Sequence, residues 1–229
     1  MCGRYSLSTP RDVLTDLFEL EEAAPIEVRY NIAPTQEAAV VRSRDGRRRL
    51  EALRWGLVPS WADDPSIGGR LINARSETAA ERPSFAESFR ERRCLVPADG
   101  FYEWEGGPGR ARQPYWIRRV DGAPFAMAGL WDRWASGASV LESFSILTTE
   151  ANERLADLHD RMPVLLPPDV WERWLAADPA APEELVPLLG PCPPGDLELV
   201  PVSDYVNRVG NEGRRCIERM EPVQPSLFG

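Results

Sequence analysis

The stretch QPYWIRRVDGAPFAMAGLWDRWASGASVLESFSILTT, residues 113–149, alternates apolar and polar side chains along much of its length. This alternation is typical of β-strands, and the Asp-Gly and Ser-Gly pairs within the stretch are typical of tight turns. The pattern predicts a meander of three strands, over Tyr115–Arg119, Pro124–Trp131 and Ser143–Thr148. We therefore expect a fold organised by a sheet.

Strand patterns continue on both sides of this stretch. Residues 38–57 predict a hairpin with its turn at Asp45-Gly46, and Leu197–Val202 predicts a late strand. Tyr30–Thr35 is predicted to be a loop, because Pro34 biases the preceding residue towards extended geometry. Since strands dominate, we predict a single α+β domain with a curved, barrel-like mixed or antiparallel sheet flanked by short helices.

Three short helices are predicted between the strands. The first starts at Thr9-Pro10-Arg11-Asp12, with Thr9 as the cap and Pro10 at the first position. The second covers Thr149–Leu158. The third opens at Pro167 and directs an apolar face inward, formed by Val170, Trp171, Trp174 and Leu175.

The composition indicates one folded domain and a limited basic surface. The chain has 229 residues, 43% of them apolar, and all 27 basic residues are arginine. The net charge of −9 argues against a generally basic nucleic-acid-binding protein. However, residues 1–119 hold 19 Arg against 18 Asp and Glu, whereas residues 120–229 hold 8 Arg against 18. A local basic face would therefore draw on the first half.

Cysteine spacing and hydropathy exclude several classes. No two of the four cysteines form a CxxC pair; they are Cys2, Cys94, Cys192 and Cys216. We therefore expect no zinc or other metal, no cofactor and no disulfide framework. No apolar run approaches the length of a membrane span. The expected location is the cytoplasm, in association with the nucleoid, with no membrane partner.

The N-terminal sequence Met1-Cys2-Gly3-Arg4-Tyr5 offers a reactive group that an internal cysteine lacks. If Met1 is removed, Cys2 carries an α-amine and a thiol two carbons apart. The amine condenses with an aldehyde to an imine, and the thiol closes on the imine carbon to give a thiazolidine. Reference pKa values of about 7.7–8.0 for the amine and about 8.5 for the thiol would leave part of each group nucleophilic at neutral pH.

Three internal segments carry more chemically active side chains than a core or a turn needs; they are LINARSE (71–77), PADGFYEW (97–104) and LHDRMP (158–163). Glu103 lies among aromatic residues, where desolvation would raise its pKa into the range of a general acid; the alternative is an ordinary edge-strand glutamate. His159, the single histidine, falls at the end of the second predicted helix, whose dipole would favour its charged form. The alternative is a structural histidine. Asn73 either orients the terminal amine or belongs to a turn.

Arginine and tryptophan residues are candidates for nucleic-acid contacts. Arg4 and Arg75 can each hold a phosphate as a bidentate fork, or can lie in surface salt bridges. The tryptophans at positions 55, 61 and 104 can stack on bases or fill the core.

Six segments occur in an order that resembles the SRAP (SOS-response-associated peptidase) family; they are CGRY (2–5), RYNIAPTQ (29–36), WGLVPSWA (55–62), LINARSET (71–78), RCLVPADGFYEW (93–104) and HDRMPVLL (159–166). The resemblance extends to about residue 215. It implies the SRAP fold and a DNA-damage protein that binds single-stranded DNA at abasic sites. Such proteins cross-link to the ring-opened deoxyribose through the N-terminal cysteine. The family name also implies removal of the initiator methionine, including by self-cleavage.

The resemblance implies a role for each matching residue. Cys2 is the nucleophile, Asn73 positions Cys2 and the sugar, Glu103 shuttles protons, and His159 assists these transfers and the reversal of the cross-link. Further residues are implied in DNA binding, by phosphate contact or by shaping the strand and its stacked bases: Arg4, Asn31, Pro34, Trp61, Arg75 and Trp104. Ala62 stands where the family often has a second aromatic residue, which weakens the expectation of base stacking beside Trp61.

Three functions remain open from the sequence. The first is a monomeric sensor that cross-links abasic sites in single-stranded DNA. The second is a thiol peptidase or amidase with Cys2 as N-terminal nucleophile and Glu103 and His159 as acid–base partners. The third is a DNA- or chromatin-binding module without chemistry. The electrophile separates the first two, because one requires an aldehyde and the other an acyl group.

The C-terminal residues form a separate feature. We assign residues 1–220 to the SRAP domain and 221–229 to a flexible tail. The tail ends in QPSLFG, which resembles the peptide that docks on the bacterial sliding clamp through Gln224, Leu227 and Phe228. An ordinary frayed terminus is the alternative.

Overall fold

The computed structural model describes residues 2–106, 112–176 and 181–220. Its strands in chain order are β1 (Tyr5–Leu7), β2 (Glu22–Ala23), β3 (Arg29–Ile32), β4 (Glu37–Arg44), β5 (Arg47–Trp55), β6 (Asn73–Arg75), β7 (Arg93–Ala98), β8 (Gly100–Glu105), β9 (Gln113–Arg119), β10 (Phe125–Ser136), β11 (Ser139–Glu150), β12 (Arg161–Pro163), β13 (Leu165–Leu166) and β14 (Leu197–Pro201). The α-helices are α1 (Arg11–Phe18), α2 (Ser76–Ala79), α3 (Ala86–Glu91), α4 (Trp171–Leu175) and α5 (Pro182–Leu185). Several turns of 3-10 helix connect them.

Five strands close into a mixed barrel. The antiparallel order β5-β4-β7-β10-β11 is completed by a parallel contact between β11 and β5, in which Phe144 pairs with Trp55. Short strands β2, β6, β12 and β13 extend this sheet. The predicted class, an α+β domain with a curved, barrel-like mixed sheet and short helices, is confirmed.

A second, antiparallel sheet has the order β14-β9-β8-β1-β3. Strand β9 belongs to this second sheet, so the predicted meander over 113–149 is only partly right. Strands β10 and β11 form a hairpin of the barrel, whereas β9 pairs with β8 and β14. Alternation of side chains reports a strand but carries no information about its neighbour.

The predicted 38–57 hairpin is confirmed as β4 and β5. Asp45 and Gly46 both have positive φ, 54° and 75°, as a two-residue hairpin turn of this twist requires. The predicted late strand is β14. The third predicted helix is also confirmed, since Trp171, Trp174 and Leu175 of α4 are buried.

Three local predictions are wrong. Residues 149–158 do not form a helix: Thr149 and Glu150 remain in β11 by pairing with β12, and residues 153–158 form turns. The pairing with β12 supplies backbone hydrogen bonds that the local sequence does not reveal. Residues 30–32 lie in β3, which pairs with β1, although Tyr30–Thr35 was expected to be a loop; only residues 33–35 are outside a strand. Thr9 does not cap α1, because its hydroxyl bonds to Asp99 instead.

A large apolar core fills the barrel and its contact with the second sheet. Trp55 and Trp174 are fully buried in it, and Phe144 stacks on Trp55 at 6.4 Å between ring centroids. All four cysteines are free thiols. Among the described residues, no helix is long and apolar enough to cross a membrane.

Close packing inside the barrel makes a stability prediction at Gly129. A Cβ added there would lie 2.7 Å from Cys94 Sγ and 2.9 Å from Val96 Cγ2. We expect Gly129→Ala to lower the free energy of unfolding by about 1–3 kcal/mol, measured by urea denaturation. The control is Gly69→Ala, which meets no atom within 4 Å and should be neutral or stabilise by less than about 1 kcal/mol. Equal urea midpoints for the two variants would contradict this packing.

Candidate active site

Strand β1 carries Cys2 into the centre of the molecule. Tyr5 pairs with Phe101 of β8, and the N–H of Tyr102 donates to the carbonyl of Arg4 at 2.9 Å, so the antiparallel register continues towards the N-terminus. This register directs residues 2–4 along Glu103. Asp99 secures the other end of β1, because it accepts hydrogen bonds from the backbone N–H of Ser8 and the side chain of Thr9.

Asn73 reaches Cys2 through the closure of the barrel. After β5, the chain leaves at Gly56 (φ 117°), which passes so close to Gly68 that a Cβ on Gly56 would lie 2.5 Å from the Gly68 carbonyl oxygen. The chain then returns as β6, parallel to β11, with Asn73 opposite Ile146. From there Asn73 Nδ2 donates to the carbonyl oxygen of Cys2 at 2.8 Å. Cys2 and Asn73, 71 residues apart in the chain, therefore meet because the barrel is closed.

The thiol of Cys2 is fully buried. Burial, and secondly the charge of Glu103, raise the pKa of the Cys2 thiol to about 12. The thiol donates a weak hydrogen bond to the carbonyl of Arg4 at 3.9 Å. The fraction of free thiolate expected from reference values applies to Cys2 after removal of Met1; in the chain that carries Met1, burial keeps the thiol protonated at neutral pH. A neighbouring base must therefore accept its proton when it reacts.

Glu103 lies in β8 and is only 6% exposed. Burial raises the pKa of its carboxyl group above the ordinary value of 4.5, and the charge of His159 partly opposes that rise. The desolvation expected from the aromatic neighbours is thus present. A carboxyl group with a raised pKa keeps its proton to a higher pH than an ordinary glutamate does, which suits it to donate a proton and to take one back.

His159 follows the turns after β11 and its side chain is 30% exposed. Its Nδ1 accepts the backbone N–H of Arg161 at 2.9 Å, which places the proton of the neutral ring on Nε2. The same Nδ1 lies 2.8 Å from Asp160, so a protonated ring would bind that carboxylate instead. No helix precedes His159, and the expected effect of a helix dipole therefore does not apply.

Residues that the sequence did not single out support this region. Arg161 forms a bidentate ion pair with Glu77, at 2.7 and 2.8 Å, and joins the segment after Asn73 to the segment after His159. Its place in the HDRMP segment is the sequence feature that could have identified Arg161. The hydroxyl of Tyr102 donates to the carbonyl of Tyr30 at 2.6 Å and ties β8 to β3.

Three of the predicted DNA-binding residues lie together beside Cys2. Arg4 Nη1 donates to Asn31 Oδ1 at 2.7 Å, and its guanidinium lies 5.9 Å from the ring centroid of Trp104. The indole N–H of Trp104 donates to Asn207 at 2.7 Å. Asn31 is fully buried, so its contribution to a ligand site is to orient Arg4 and the chain around 206–211.

The remaining predicted contacts are more dispersed. Arg75 is exposed at the end of β6, two residues after Asn73, and Pro34 is half-buried in the turn after β3. Trp61 is 57% exposed and donates from its indole N–H to the carbonyl of Pro83 at 3.3 Å. Trp55 lies in the core, so it has no face for a base. The clamp residues Gln224, Leu227 and Phe228 lie outside the described residues.

The sequence profile of the family described as SOS response associated peptidase (SRAP) matches residues 1–209. This chain belongs to the SRAP family. The reactive residues drawn together around Cys2 thus lie within the SRAP domain.

Two bacterial relatives of this SRAP protein are similar over nearly their whole length. Abasic site processing protein YoaM of Bacillus subtilis is 38% identical over 222 residues, which cover 95% of this chain and 98% of YoaM. Abasic site processing protein YedK of Escherichia coli is 34% identical over 225 residues, with 95% and 99% coverage. A crystal structure of a Bacteroides thetaiotaomicron protein matches with a TM-score of 0.87 at 25% identity, over 96% of this chain and 100% of that one. The SRAP fold is confirmed.

The described part of the SRAP chain contains no group of three or more His, Cys, Asp or Glu side chains placed to hold a metal ion. The site is instead built from one thiol, one carboxyl group, one imidazole and one carboxamide. These are groups for proton transfer and nucleophilic addition.

The raised pKa of Glu103 predicts a specific pH dependence of stability. Because the native state binds this proton more tightly than the unfolded chain, the stabilisation is complete below pH 4.5 and is lost as the pH rises through the folded pKa. We expect the free energy of unfolding of the wild type to fall relative to that of Glu103→Gln between about pH 4.5 and neutrality. Urea denaturation across this range measures it.

The control is Glu105→Gln, which removes a carboxylate from the exposed end of the same strand. A constant difference between wild type and Glu103→Gln at all pH values would show that Glu103 is not desolvated.

Proposed function

We propose that this protein recognises abasic sites in single-stranded DNA and, once Met1 is removed, forms a covalent thiazolidine cross-link through Cys2. The hydrogen bond from Asn73 to the Cys2 carbonyl carries the proposal, because it fixes the N-terminal residue beside Glu103 and His159. The names of the relatives support an abasic site as the substrate. The cross-link would shield the lesion during replication-associated repair.

The chemistry begins at the nitrogen of Cys2. Removal of Met1 converts this amide nitrogen into an amine, which adds to the C1′ aldehyde of the open sugar to give a carbinolamine. Glu103, as the protonated acid, donates a proton to the hydroxyl group, which leaves as water and leaves an iminium ion. The Glu103 carboxylate then takes the thiol proton as sulfur attacks the same carbon. The ring closes, Glu103 is again protonated, and one water has been lost.

The structure supports this assignment of Glu103 to both proton transfers. Its raised pKa keeps a proton available for the departing hydroxyl group, and the thiol with a pKa of about 12 needs a base in its immediate surroundings. His159, with its proton on Nε2 when neutral, is proposed to assist these transfers and the reversal of the cross-link. Asn73 is proposed as a positioning residue, because it holds the carbonyl oxygen of Cys2 and thereby the residue whose nitrogen and sulfur react.

The DNA strand is proposed to lie over Arg4, Arg75, Trp61 and Trp104. The two arginines provide phosphate contacts, and the two indoles provide stacking surfaces. Asn31 and Pro34 are proposed to shape the strand, Asn31 through its hold on Arg4.

A peptidase activity is the second candidate, because the family description includes that word. A fully buried thiol with a raised pKa is poorly suited to the turnover of peptides from solution. If peptidase chemistry occurs, we propose that it is limited to the removal of Met1. Intact mass and peptide turnover together separate the two functions.

We expect intact mass spectrometry to show a chain without Met1 and, after incubation with a single-stranded oligonucleotide bearing one abasic site, a heat-stable adduct. Its mass should equal protein plus DNA minus one water. Cys2→Ser should give an adduct only when a reductant traps the imine, because it cannot close a thiazolidine. The control is Cys192→Ser, a half-buried thiol at another place in the fold, which should cross-link like the wild type.

A heat-stable adduct of Cys2→Ser without reductant would contradict the thiazolidine. Loss of Met1 without any adduct, together with peptide turnover, would favour the peptidase. Retention of Met1 would remove the aminothiol and with it the proposed chemistry.

We further propose that residues 221–229 are a tail beyond the domain of residues 1–220, and that Gln224, Leu227 and Phe228 dock on the bacterial sliding clamp. A short terminal peptide with a glutamine and two apolar side chains fits an apolar groove with a polar rim. Deletion of residues 224–229 should abolish clamp binding in a surface-immobilised assay and leave cross-linking unchanged. Leu227→Ala/Phe228→Ala should do the same, and Ser226→Ala serves as the control. Unchanged clamp affinity of the deletion would end this idea.

A further inference from the structure

Residues 204–215 form a surface segment beside the candidate active site, here called the arginine shelf. Two turns of 3-10 helix, Asp204–Asn207 and Arg214–Cys216, enclose it. Arg4 Nη1 donates to the carbonyl of Val206 at 3.0 Å, and Asn31 Nδ2 lies 3.0 Å from the carbonyl of Arg208 and 2.8 Å from that of Asn211. The shelf is therefore held by Arg4, two residues after Cys2, and by Asn31, which accepts a hydrogen bond from Arg4.

The shelf presents exposed cations that no carboxylate of the described residues neutralises. Arg208, Arg214 and Arg215 are exposed, and none of them forms an ion pair with a carboxylate of the described residues. The acid nearest to them in the chain, Glu212, is already engaged: it accepts from Arg29 Nε at 2.7 Å and from the backbone N–H of Tyr30 at 2.7 Å. Arginines of the barrel such as Arg42 are, by contrast, paired with two glutamates.

The arginines surround a small surface pocket. Its volume is about 310 Å³, and it is lined by Asp204, Tyr205, Arg208, Asn211 and Arg215. The guanidinium of Arg215 lies 4.4 Å from the ring centroid of Tyr205, which fixes the plane of its hydrogen-bond donors. Asp204 is the one acid of the lining. A bound anion would therefore contact the side formed by Arg208 and Arg215.

The charge distribution along the chain sets the shelf apart. Residues 120–229 carry a net charge of −10, with 8 Arg against 18 acids, yet four of those arginines fall within residues 208–219. Phosphate groups prefer guanidinium donors because the planar fork can bind two oxygens at once. A cluster of unneutralised arginines next to Arg4 and Trp104 is placed to continue a phosphate-binding path.

We propose that the arginine shelf binds backbone phosphates of single-stranded DNA beyond those at the lesion, through Arg208 and Arg215. This inference rests on the proposed function, since it extends the same strand away from Cys2. The shelf increases the affinity of the protein for longer strands and takes no part in the chemistry at the abasic sugar. Its ligand is the phosphate backbone, so it does not select a base sequence.

The test uses oligonucleotides with one abasic site and a very short flank, and longer ones extended on the 5′ or the 3′ side. We compare the wild type with Arg208→Ala/Arg215→Ala, with the charge-preserving Arg208→Lys/Arg215→Lys, and with Arg11→Ala on the exposed face of α1. Affinity is measured across a series of salt concentrations, and cross-linking rate is measured on the short oligonucleotide. A further extended oligonucleotide has neutral methylphosphonate linkages in place of the phosphates of its flank.

On the oligonucleotide extended on one side, we expect the double alanine variant to bind about tenfold more weakly at low salt. The slope of log affinity against log salt should decrease in magnitude by about 1.4, since each phosphate contact on a single strand contributes about 0.7. The lysine variant and Arg11→Ala should keep the wild-type slope. The methylphosphonate flank should lower the affinity of the wild type to that of the alanine variant. All variants should cross-link the short oligonucleotide at the wild-type rate, which also shows that they are folded.

Equal affinities and slopes for the wild type and the alanine variant on both extended oligonucleotides would overturn the proposal. So would a methylphosphonate flank without effect, because the shelf would then bind something other than phosphate. Slower cross-linking of the short oligonucleotide by the alanine variant would show that the shelf supports the active site itself, and would also refute it. Failure of the proposed function is distinct, because the wild type would then cross-link none of the oligonucleotides while the length dependence of binding could still be measured.

Discussion

The parallel contact between β11 and β5 is the constraint on which the site depends. It closes the barrel and makes β11 available to a second parallel neighbour, β6, which carries Asn73. The close passage of Gly56 and Gly68 permits the chain to leave β5 and to return as β6, so that β5 and β6 both pair with β11. Without this closure, Asn73 would have no fixed position relative to Cys2, which lies 71 residues earlier in the chain.

Desolvation then determines the reactivity of the groups that the barrel brings together. The same burial raises the pKa of the Cys2 thiol and of the Glu103 carboxyl group, since both would otherwise become anions in an apolar environment. The two shifts are complementary. In the proposed chemistry, a thiol that does not ionise by itself depends on Glu103 to take its proton, and the raised pKa of Glu103 lets the same group supply a proton in the preceding step.

Much of the local structure could be predicted from the sequence. Particular residues show where tertiary contacts overrode the local pattern. The Asp45-Gly46 turn and the inward tryptophans of α4 follow from local rules, and the structure has both. Residues 149–158 have a plausible helical pattern, but the extension of β11 against β12 supplies better hydrogen-bond partners to Thr149 and Glu150. Asn31 was named from its place in the RYNIAPTQ segment, but only the tertiary structure shows that it is buried and donates hydrogen bonds to carbonyls about 180 residues later in the chain.

By itself, the sequence determined the chemical groups available to this protein and the strand-rich character of its fold. Side-chain chemistry belongs to each residue, and alternation, turn residues and helix faces depend only on near neighbours in the chain. The tertiary structure decided which of those groups meet, how deeply each is buried, and that Arg4 and Asn31 hold the arginine shelf beside Cys2. These properties arise from contacts between distant segments, and a pKa or an exposed charge has no defined value until the surroundings are assembled.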